Sequence, residues 1–197
     1  MAFRINDMIT KLSGGGARNA RFRVILAQRD SQVASLAPFM IQASSIPSST
    51  IAPIEVPYFG RRIKVAGDRE FENWAVEVIN DENFIIRHYM EQWHNNINHL
   101  SLNRTLYPTS NPREYKMDAE VQQMSSTDEN TPIRVYRFKN IFPINISAIE
   151  LNWDAQNQIE RFNVTFAYDW YEVLPVGASA QGGVGLTGVG GTTPRRI

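Results

Sequence analysis

The sequence predicts a mainly β protein, an antiparallel β-sandwich or barrel with one flanking α-helix. Three observations indicate this fold class. Apolar and polar residues alternate through many short segments, a single segment has helical spacing, and turn-forming clusters at 44–50 and 125–131 separate the segments. At 197 residues, the chain has the length of one domain with appendages.

The two ends of the chain are the predicted appendages. Residues 2–12 have the apolar spacing of a short helix, which three consecutive glycines at 14–16 interrupt, so residues 1–17 are expected to form an N-terminal arm. Residues 175–197 contain seven of the twelve glycines and are expected to form a Gly-rich C-terminal extension. The folded domain is therefore expected to span residues 18–174.

Strands are predicted where apolar residues recur at every second position. Clear examples are at 22–26, 39–43 and 74–78, and shorter strands are predicted at 54–56, 63–65, 115–121, 133–138 and 146–153. In the clearest strand, five side chains point one way: Phe162, Val164, Phe166, Tyr168 and Trp170. The chain is therefore expected to be mostly β.

One segment, residues 82–100, has helical periodicity. Its apolar residues recur at three- and four-residue steps: Ile86, Tyr89, Met90, Trp93, Ile97 and Leu100. Asp81 or Asn80 is available as the N-cap. This helix is expected to pack across one sheet.

The composition argues against several functional classes. Twenty basic residues balance twenty acidic ones, so a strongly basic nucleic-acid binder is not expected. The absence of cysteine removes disulfides, thiolate metal sites and a cysteine nucleophile. The sequence shows neither a signal-peptide pattern nor an apolar run of about 20 residues, so a cytoplasmic protein without a membrane anchor is expected.

No motif predicts a catalytic, cofactor or metal site. A G-x-G-x-x-G pattern at Gly183, Gly185 and Gly188 lacks room for the helix that a dinucleotide site requires, which favours a flexible tail. The three histidines, His88, His94 and His99, are spaced so that they fall on different faces of a helix. We therefore expect no cofactor and no metal, and we do not expect an enzyme.

Two polar patterns remain. The basic cluster Arg61, Arg62 and Lys64 is interpreted as a solvated or inter-subunit face rather than a nucleic-acid contact. Around residue 115, apolar side chains form one face of a strand, and a face with three carboxylates against one lysine lies opposite: Glu114, Lys116, Asp118, Glu120 and Gln122. An ordinary solvent-exposed face is the alternative interpretation.

Two segments resemble a known family. Residues 62–81 read RIKVAGDREFENWAVEVIND, and residues 151–170 read LNWDAQNQIERFNVTFAYDW. Both resemble the major tail tube protein of contractile-tailed bacteriophages, the myovirus tube protein family. The matching positions are Ala66, Gly67, Asp68, Arg69, Phe71, Trp74, Val76, Val78, Asn80 and Asp81 in the first segment, and Leu151, Trp153, Asp154, Ile159, Glu160, Phe162, Val164, Thr165 and Asp169 in the second.

The resemblance implies a structural, self-assembling protein. Six subunits would close into a ring with a continuous inner β-barrel, and rings would stack into a tube inside a contractile sheath, as the conduit for genome ejection. The implied partners are other copies of the chain, the sheath protein, the baseplate tube-initiating protein, the tail terminator and the tape-measure protein, with DNA passing without specific binding. The implied location is the virion tail tube, assembled in the host cytoplasm.

The resemblance also gives roles to particular residues. The polar face of residues 114–122 is expected to line the lumen and to repel DNA phosphates. A polar stretch is expected to mediate ring stacking: Ser44, Ser45, Pro47, Ser48, Ser49, Thr50 and Pro53. Gly67, Asp68 and Arg69 are expected to form a turn that contacts a neighbouring subunit, with a purely intramolecular turn as the alternative.

Other functions remain open on the sequence alone. The nearest is the tube subunit of a related contractile injection machine, either a bacteriocin-like particle or a type VI secretion ring. A baseplate protein that starts the tube and a monomeric β-barrel binding module are less well supported, and an enzyme is the weakest alternative.

Overall fold

A computed structural model of the chain describes residues 5–12, 16–27, 31–107, 114–126, 128, 130–154 and 156–174. The Gly-rich extension and its G-x-G-x-x-G pattern lie outside the described residues, as does the beginning of the N-terminal arm. Among the residues described, no helix combines the length and the apolar character needed to cross a bilayer.

The protein is built on two antiparallel sheets that share one long strand. The strands are β1 (Phe22–Leu26), β2 (Ile41–Ser44), β3 (Thr50–Tyr58), β4 (Arg61–Glu70), β5 (Trp74–Ile79), β6 (Met117–Met124), β7 (Pro132–Ile146), β8 (Arg161–Ala167) and β9 (Trp170–Leu174). The β6 sheet has the order β1-β6-β7-β9, and the β5 sheet has the order β7-β8-β5-β2. β3 and β4 form a separate two-stranded ribbon. The predicted mainly β, antiparallel fold is confirmed.

One apolar core joins the two sheets. The alternate residues Trp74, Val76 and Val78 of β5 are buried, as the period of two predicts. The Trp74 indole stacks on Phe138 of β7 with ring centroids 4.4 Å apart, and it contacts Phe166 of β8 at 5.4 Å. Burying each such side chain contributes on the order of 2–3 kcal/mol, so these rings are a major source of the fold's stability.

The chain changes sheets between β8 and β9, where a continuous strand was predicted. β8 pairs with the last part of β7, and β9 pairs with its first part. Asn140, with a positive φ of 59°, marks the bend in β7, and its side-chain amide donates to Asp169 Oδ2 at 2.8 Å. Lys116 Nζ holds the other oxygen of Asp169 at 3.0 Å. Tyr168 still packs against the core, with its ring centroid 4.9 Å from that of Phe138. The prediction of one face is therefore wrong only at Trp170, which is 44% exposed because the strand breaks at residues 168–169.

The described chain has three helices: α1 (Ile5–Lys11), α2 (Ser31–Met40) and α3 (Ile85–Ile97). Two of them, α2 and α3, lie in the folded domain, where one was predicted. α1 confirms the short helix predicted in the N-terminal arm. The strand predicted at 39–43 is confirmed at residues 41–43, which lie in β2, but residues 39 and 40 end α2 instead. Val33 and Ala37 face the core at helical spacing, but Pro38 in the last turn disguises this pattern in the sequence.

The predicted helix at 82–100 is confirmed as α3, with shorter bounds. Ile86, Met90 and Trp93 are buried in the core, but Leu100 lies beyond the helix and is 89% exposed. Phe84 occupies the N-cap position, and the side chain of Asp81 accepts a hydrogen bond from the Ile85 amide at 3.1 Å. Asp81 thus stabilises the helix start, although it does not occupy the cap position.

One further prediction fails. The strand expected at 146–153 is a loop, because β7 ends at Ile146 and the next strand in the described residues begins at Arg161. The strand predicted at 54–56 is confirmed as part of β3, which is longer than predicted. Pro53 and Pro57 are tolerated there because each strand of a two-stranded ribbon has an outer edge that needs no amide donor.

Candidate assembly surfaces

The five residues predicted to line a lumen lie in β6 or just before it: Glu114, Lys116, Asp118, Glu120 and Gln122. The neighbouring Ala119 and Val121 point into the core. Strand alternation therefore places Asp118, Glu120 and Gln122 on the opposite face of the β6 sheet. The predicted division of this segment into two faces is confirmed.

Both carboxylates of β6 have cationic partners on β7. Arg137 Nε donates to Glu120 Oε1 at 2.7 Å, and Lys139 Nζ donates to Asp118 Oδ2 at 2.6 Å. Gln122 Nε2 donates to the second oxygen of Glu120 at 3.2 Å, and both residues are only 7% exposed. Residues 114–122 carry an excess of two negative charges. Arg137 and Lys139 of the neighbouring strand β7 balance this excess.

The β6 sheet ends in two strands that pair on one side only. In the described part of the chain, β1 is hydrogen-bonded to β6 alone, and β9 is hydrogen-bonded to β7 alone. Such edges present a row of unpaired backbone donors and acceptors to any strand that comes alongside. These two edges are candidate contacts between copies of the chain.

The β3–β4 hairpin is a two-faced ribbon exposed to solvent. In the cross-strand pairs, Ile54 faces Val65 and Val56 faces Ile63 on one side, while Glu55 faces Lys64 on the other. Within residues 54–65 of the ribbon, five apolar side chains are each 45–60% exposed: Ile54, Val56, Tyr58, Ile63 and Val65. An isolated two-stranded ribbon is marginally stable in water, so this apolar face is suited to a contact outside the subunit.

The turn of this hairpin is at Phe59 and Gly60, not at Gly67, Asp68 and Arg69. Phe59 and Gly60 both have positive φ values, 44° and 79°, as a two-residue type I′ turn requires. Gly67 lies within β4, where an added Cβ would come 2.5 Å from the Ala52 carbonyl oxygen. The glycine is thus needed because the two backbones approach closely beside the ribbon's bulge, and the predicted turn is wrong.

The predicted stacking residues divide between three elements. Ser44 ends β2, Ser45, Pro47, Ser48 and Ser49 form the connection, and Thr50 and Pro53 lie in β3. The connection is fixed to the body, since Trp74 Nε1 donates to Ser44 Oγ at 3.1 Å and Ser48 Oγ donates to Glu72 at 2.8 Å. This segment is therefore the base of the hairpin, and the sequence signal that identifies the hairpin is Gly60 between two alternating apolar runs.

A second exposed apolar surface was not predicted. The loop of residues 147–160, in which Ala155 lies outside the described residues, borders an open cavity of about 960 Å³. Leu151, Trp153 and Ile159 are 81%, 98% and 68% exposed. The alternating pattern of residues 146–153 predicts a strand and does not indicate an exposed apolar surface.

Comparison with known proteins identifies the family. The sequence model described as phage tail tube protein matches residues 17–174. Tail tube protein gp19 of Enterobacteria phage T4 is 33% identical over 135 residues, which are 68% of this chain and 80% of that protein. The tail tube protein of Serratia phage KSP90 is 27% identical over 174 residues, covering 83% of this chain and 93% of that protein.

Solved structures share the fold. A chain of the sheath–tube complex of an extracellular contractile injection system, PVC, in its extended state, superposes with a TM-score of 0.61. The match covers 89% of this chain and all of that chain at 14% identity, so it is a likeness of fold alone. Together with the family model and the phage T4 relative, the exposed strand edges and ribbon fit a chain built to assemble, and this chain belongs to the phage tail tube protein family.

Proposed function

We propose that this chain is the tail tube subunit of a contractile-tailed phage, located in the virion. Six copies close into a ring, and rings stack inside a contractile sheath to form the conduit for genome ejection. The observation that carries the proposal is the family match over residues 17–174, which includes every strand of the two sheets. The role is structural rather than catalytic.

Ring closure uses the edges of the β6 sheet. If β9 of one copy pairs with β1 of the next, the same two surfaces meet around the whole ring and no edge is left over. Closure then joins the β6 sheets into one continuous barrel. The exposed edges, which are an aggregation liability in a single subunit, are the reason that the ring is more stable than its parts.

The face of the β6 sheet opposite the core then lines the channel, with Glu114, Lys116, Asp118, Glu120 and Gln122 among its residues. A lining that passes DNA has to avoid cations that are free to bind phosphate. Lys116, Arg137 and Lys139 each contact a carboxylate, at 2.6–3.0 Å. These three cations are therefore held by carboxylates and are not free to bind DNA phosphates, in addition to any repulsion by the carboxylates of the lining.

Stacking between rings uses the β3–β4 hairpin and its base, residues 44–53. Gly67 allows the close approach of β3 and β4 in the ribbon. The exposed side chains of Asp68 and Arg69 are available for contacts with a neighbouring subunit. The further partners of the tube are the sheath, the baseplate initiator, the terminator and the tape-measure protein.

The second candidate is the tube subunit of a related contractile injection machine, a bacteriocin-like particle or a type VI secretion ring. The superposition on the PVC sheath–tube chain supports this class through the fold. The 33% identity to the phage T4 protein favours the phage tail.

Negative-stain electron microscopy of the purified protein, together with its native mass, tests the proposal. We expect hollow rings with six-fold symmetry, or tubes built from them. Deleting residues 47–50, at the hairpin base, should leave hexamers but shorten or abolish tubes. A protein that stays monomeric even after a baseplate initiator is added would contradict the proposal, and full-length tubes from the deletion would exclude the stacking role.

A further inference from the structure

The distal part of the hairpin is apolar, aromatic and basic. Residues 54–65 carry Arg61, Arg62 and Lys64 against the single acid Glu55, a net charge of plus two. Tyr58 and Phe59 meet edge to face at the tip, with ring centroids 4.7 Å apart, and Phe59 is 92% exposed. This tip has the composition of an anchor that inserts into a pocket on a partner.

The loop of residues 147–160 has the complementary composition. It carries Glu150, Asp154 and Glu160 and no basic residue, a net charge of minus three. Exposed Trp153 and Leu151 line its open cavity, whose volume of about 960 Å³ is large enough for aromatic side chains. The loop therefore offers apolar contact to an aromatic tip and the opposite charge to its basic residues.

The two surfaces lie at opposite ends of one strand. The hairpin base is fixed at the start of β5, where Trp74 donates to Ser44. The loop is fixed just past its end, where the Asn80 amide donates to the Glu160 carbonyl at 2.9 Å and the Asn80 side chain donates to the Glu160 carboxylate at 2.8 Å. At about 3.3 Å per residue, Trp74 and Asn80 are about 20 Å apart along the strand.

We infer that the Tyr58–Phe59 tip of one copy binds the 147–160 loop of a second copy. Complementary surfaces at opposite ends of a subunit form a head-to-tail contact, which repeats without limit unless rotation closes it. Such a contact extends a tube along its axis. The inference rests on the proposed self-assembly and adds the partner surface of the hairpin.

Paired charge reversals test the contact. Arg61→Glu reverses a hairpin charge without removing the ion pair that Arg62 makes with Glu55 at 2.8 Å, and Asp154→Arg reverses a loop charge. We expect each single variant to raise the critical concentration for tube formation about tenfold, equivalent to about 1.4 kcal/mol, and the double variant to return it to within about threefold of wild type. Glu82→Arg, at an exposed acid outside the loop, is the control and should have no such effect.

Phe59→Asn separates binding from folding of the hairpin. Asn-Gly is a favoured type I′ sequence, so this variant keeps the turn while removing the aromatic ring. We expect tube formation to require at least about tenfold more protein, with an unchanged melting temperature for the subunit. A purely structural role for Phe59 predicts tubes as good as those of wild type.

Cross-linking gives a direct readout, since the natural chain has no cysteine. Phe59→Cys combined with Trp153→Cys, treated with a short bismaleimide, should give a ladder of covalent oligomers, whereas Phe59→Cys combined with Leu100→Cys should not. If wild-type tubes form but the ladder is absent and the reversals do not compensate, the inference is wrong and the proposed function stands. If wild type forms neither rings nor tubes and no ladder appears, both are wrong.

Discussion

The β5 strand and the β3–β4 hairpin have the same sequence pattern and opposite environments. In β5, the alternate residues Trp74, Val76 and Val78 are at most 2% exposed, whereas Val56 at the same spacing in β3 is 45% exposed. The difference is that β5 lies between β2 and β8 and beneath the aromatic core, while β3 pairs only with β4. An amphipathic strand specifies that one face must be covered, and the tertiary structure decides whether the cover comes from the same subunit.

The comparison extends to ion pairs. Arg137 and Glu120 in the β6 sheet have side chains 29% and 10% exposed, while Arg62 and Glu55 on the hairpin have side chains 75% and 39% exposed. The N–O distances, 2.7 and 2.8 Å, are almost the same. Water screens the Arg62–Glu55 pair but hardly reaches Glu120. The Arg137–Glu120 pair therefore contributes more to stability, although the two N–O distances are similar.

Truncation of matched phenylalanines should give the largest contrast. Phe138→Ala removes a fully buried ring and should lower the free energy of unfolding by about 3–5 kcal/mol, whereas Phe59→Ala on the hairpin should change it by less than about 0.5 kcal/mol. Urea denaturation of the unassembled subunit measures both. Equal losses would show that the hairpin packs on its own subunit in solution.

Truncation of matched arginines should give a smaller contrast. Arg137→Met leaves the buried Glu120 carboxylate without its charged donor and should cost about 1.5–3 kcal/mol of subunit stability. Arg62→Met breaks an exposed pair and should cost about 1 kcal/mol or less. The same denaturation assay applies, and an Arg137→Met loss no larger than that of Arg62→Met would mean that water reaches Glu120.

The smallest expected effect is a loss of stability at high pH that depends on Tyr168, with Tyr58 as the comparison. Burial raises the pKa of Tyr168, and the nearby Tyr171 and Glu72 raise it further, so the folded protein holds this proton more tightly than the unfolded chain does. The resulting stability is complete below the unfolded pKa of about 10 and is lost as pH rises through the higher folded pKa. Tyr168→Phe removes this alkaline loss.

Melting temperatures measured between about pH 9 and pH 11 test this expectation, since the unfolded phenol titrates near pH 10. The Tyr168 hydroxyl is buried and has no hydrogen-bond partner in the described part of the chain, so the phenylalanine variant should be as stable as wild type at neutral pH. Tyr58→Phe, on the exposed hairpin, is the matched control. An alkaline loss that persists unchanged in Tyr168→Phe would show that another group causes it.

The division of strands and helices into apolar and polar faces follows from the amino-acid sequence alone. The period of two in β5 and β8 and the apolar stripe of α3 from Ile86 to Ile97 were readable because every residue of a regular element repeats the same geometry. The segments 62–81 and 151–170 also identified the family from the order of their residues. These are local properties, and local spacing suffices to predict them.

Which of these faces contact a partner depends on the tertiary structure. The strand from Arg161 stops before Trp170 because β7 bends at Asn140 and takes β9 into the other sheet. The negative charges of Asp118 and Glu120 in β6 are balanced by Lys139 and Arg137, which are distant in sequence but lie beside them in the sheet. The apolar face of the hairpin and the Trp153 loop stay exposed because no further layer within the described residues covers them. No local sequence pattern predicts this exposure.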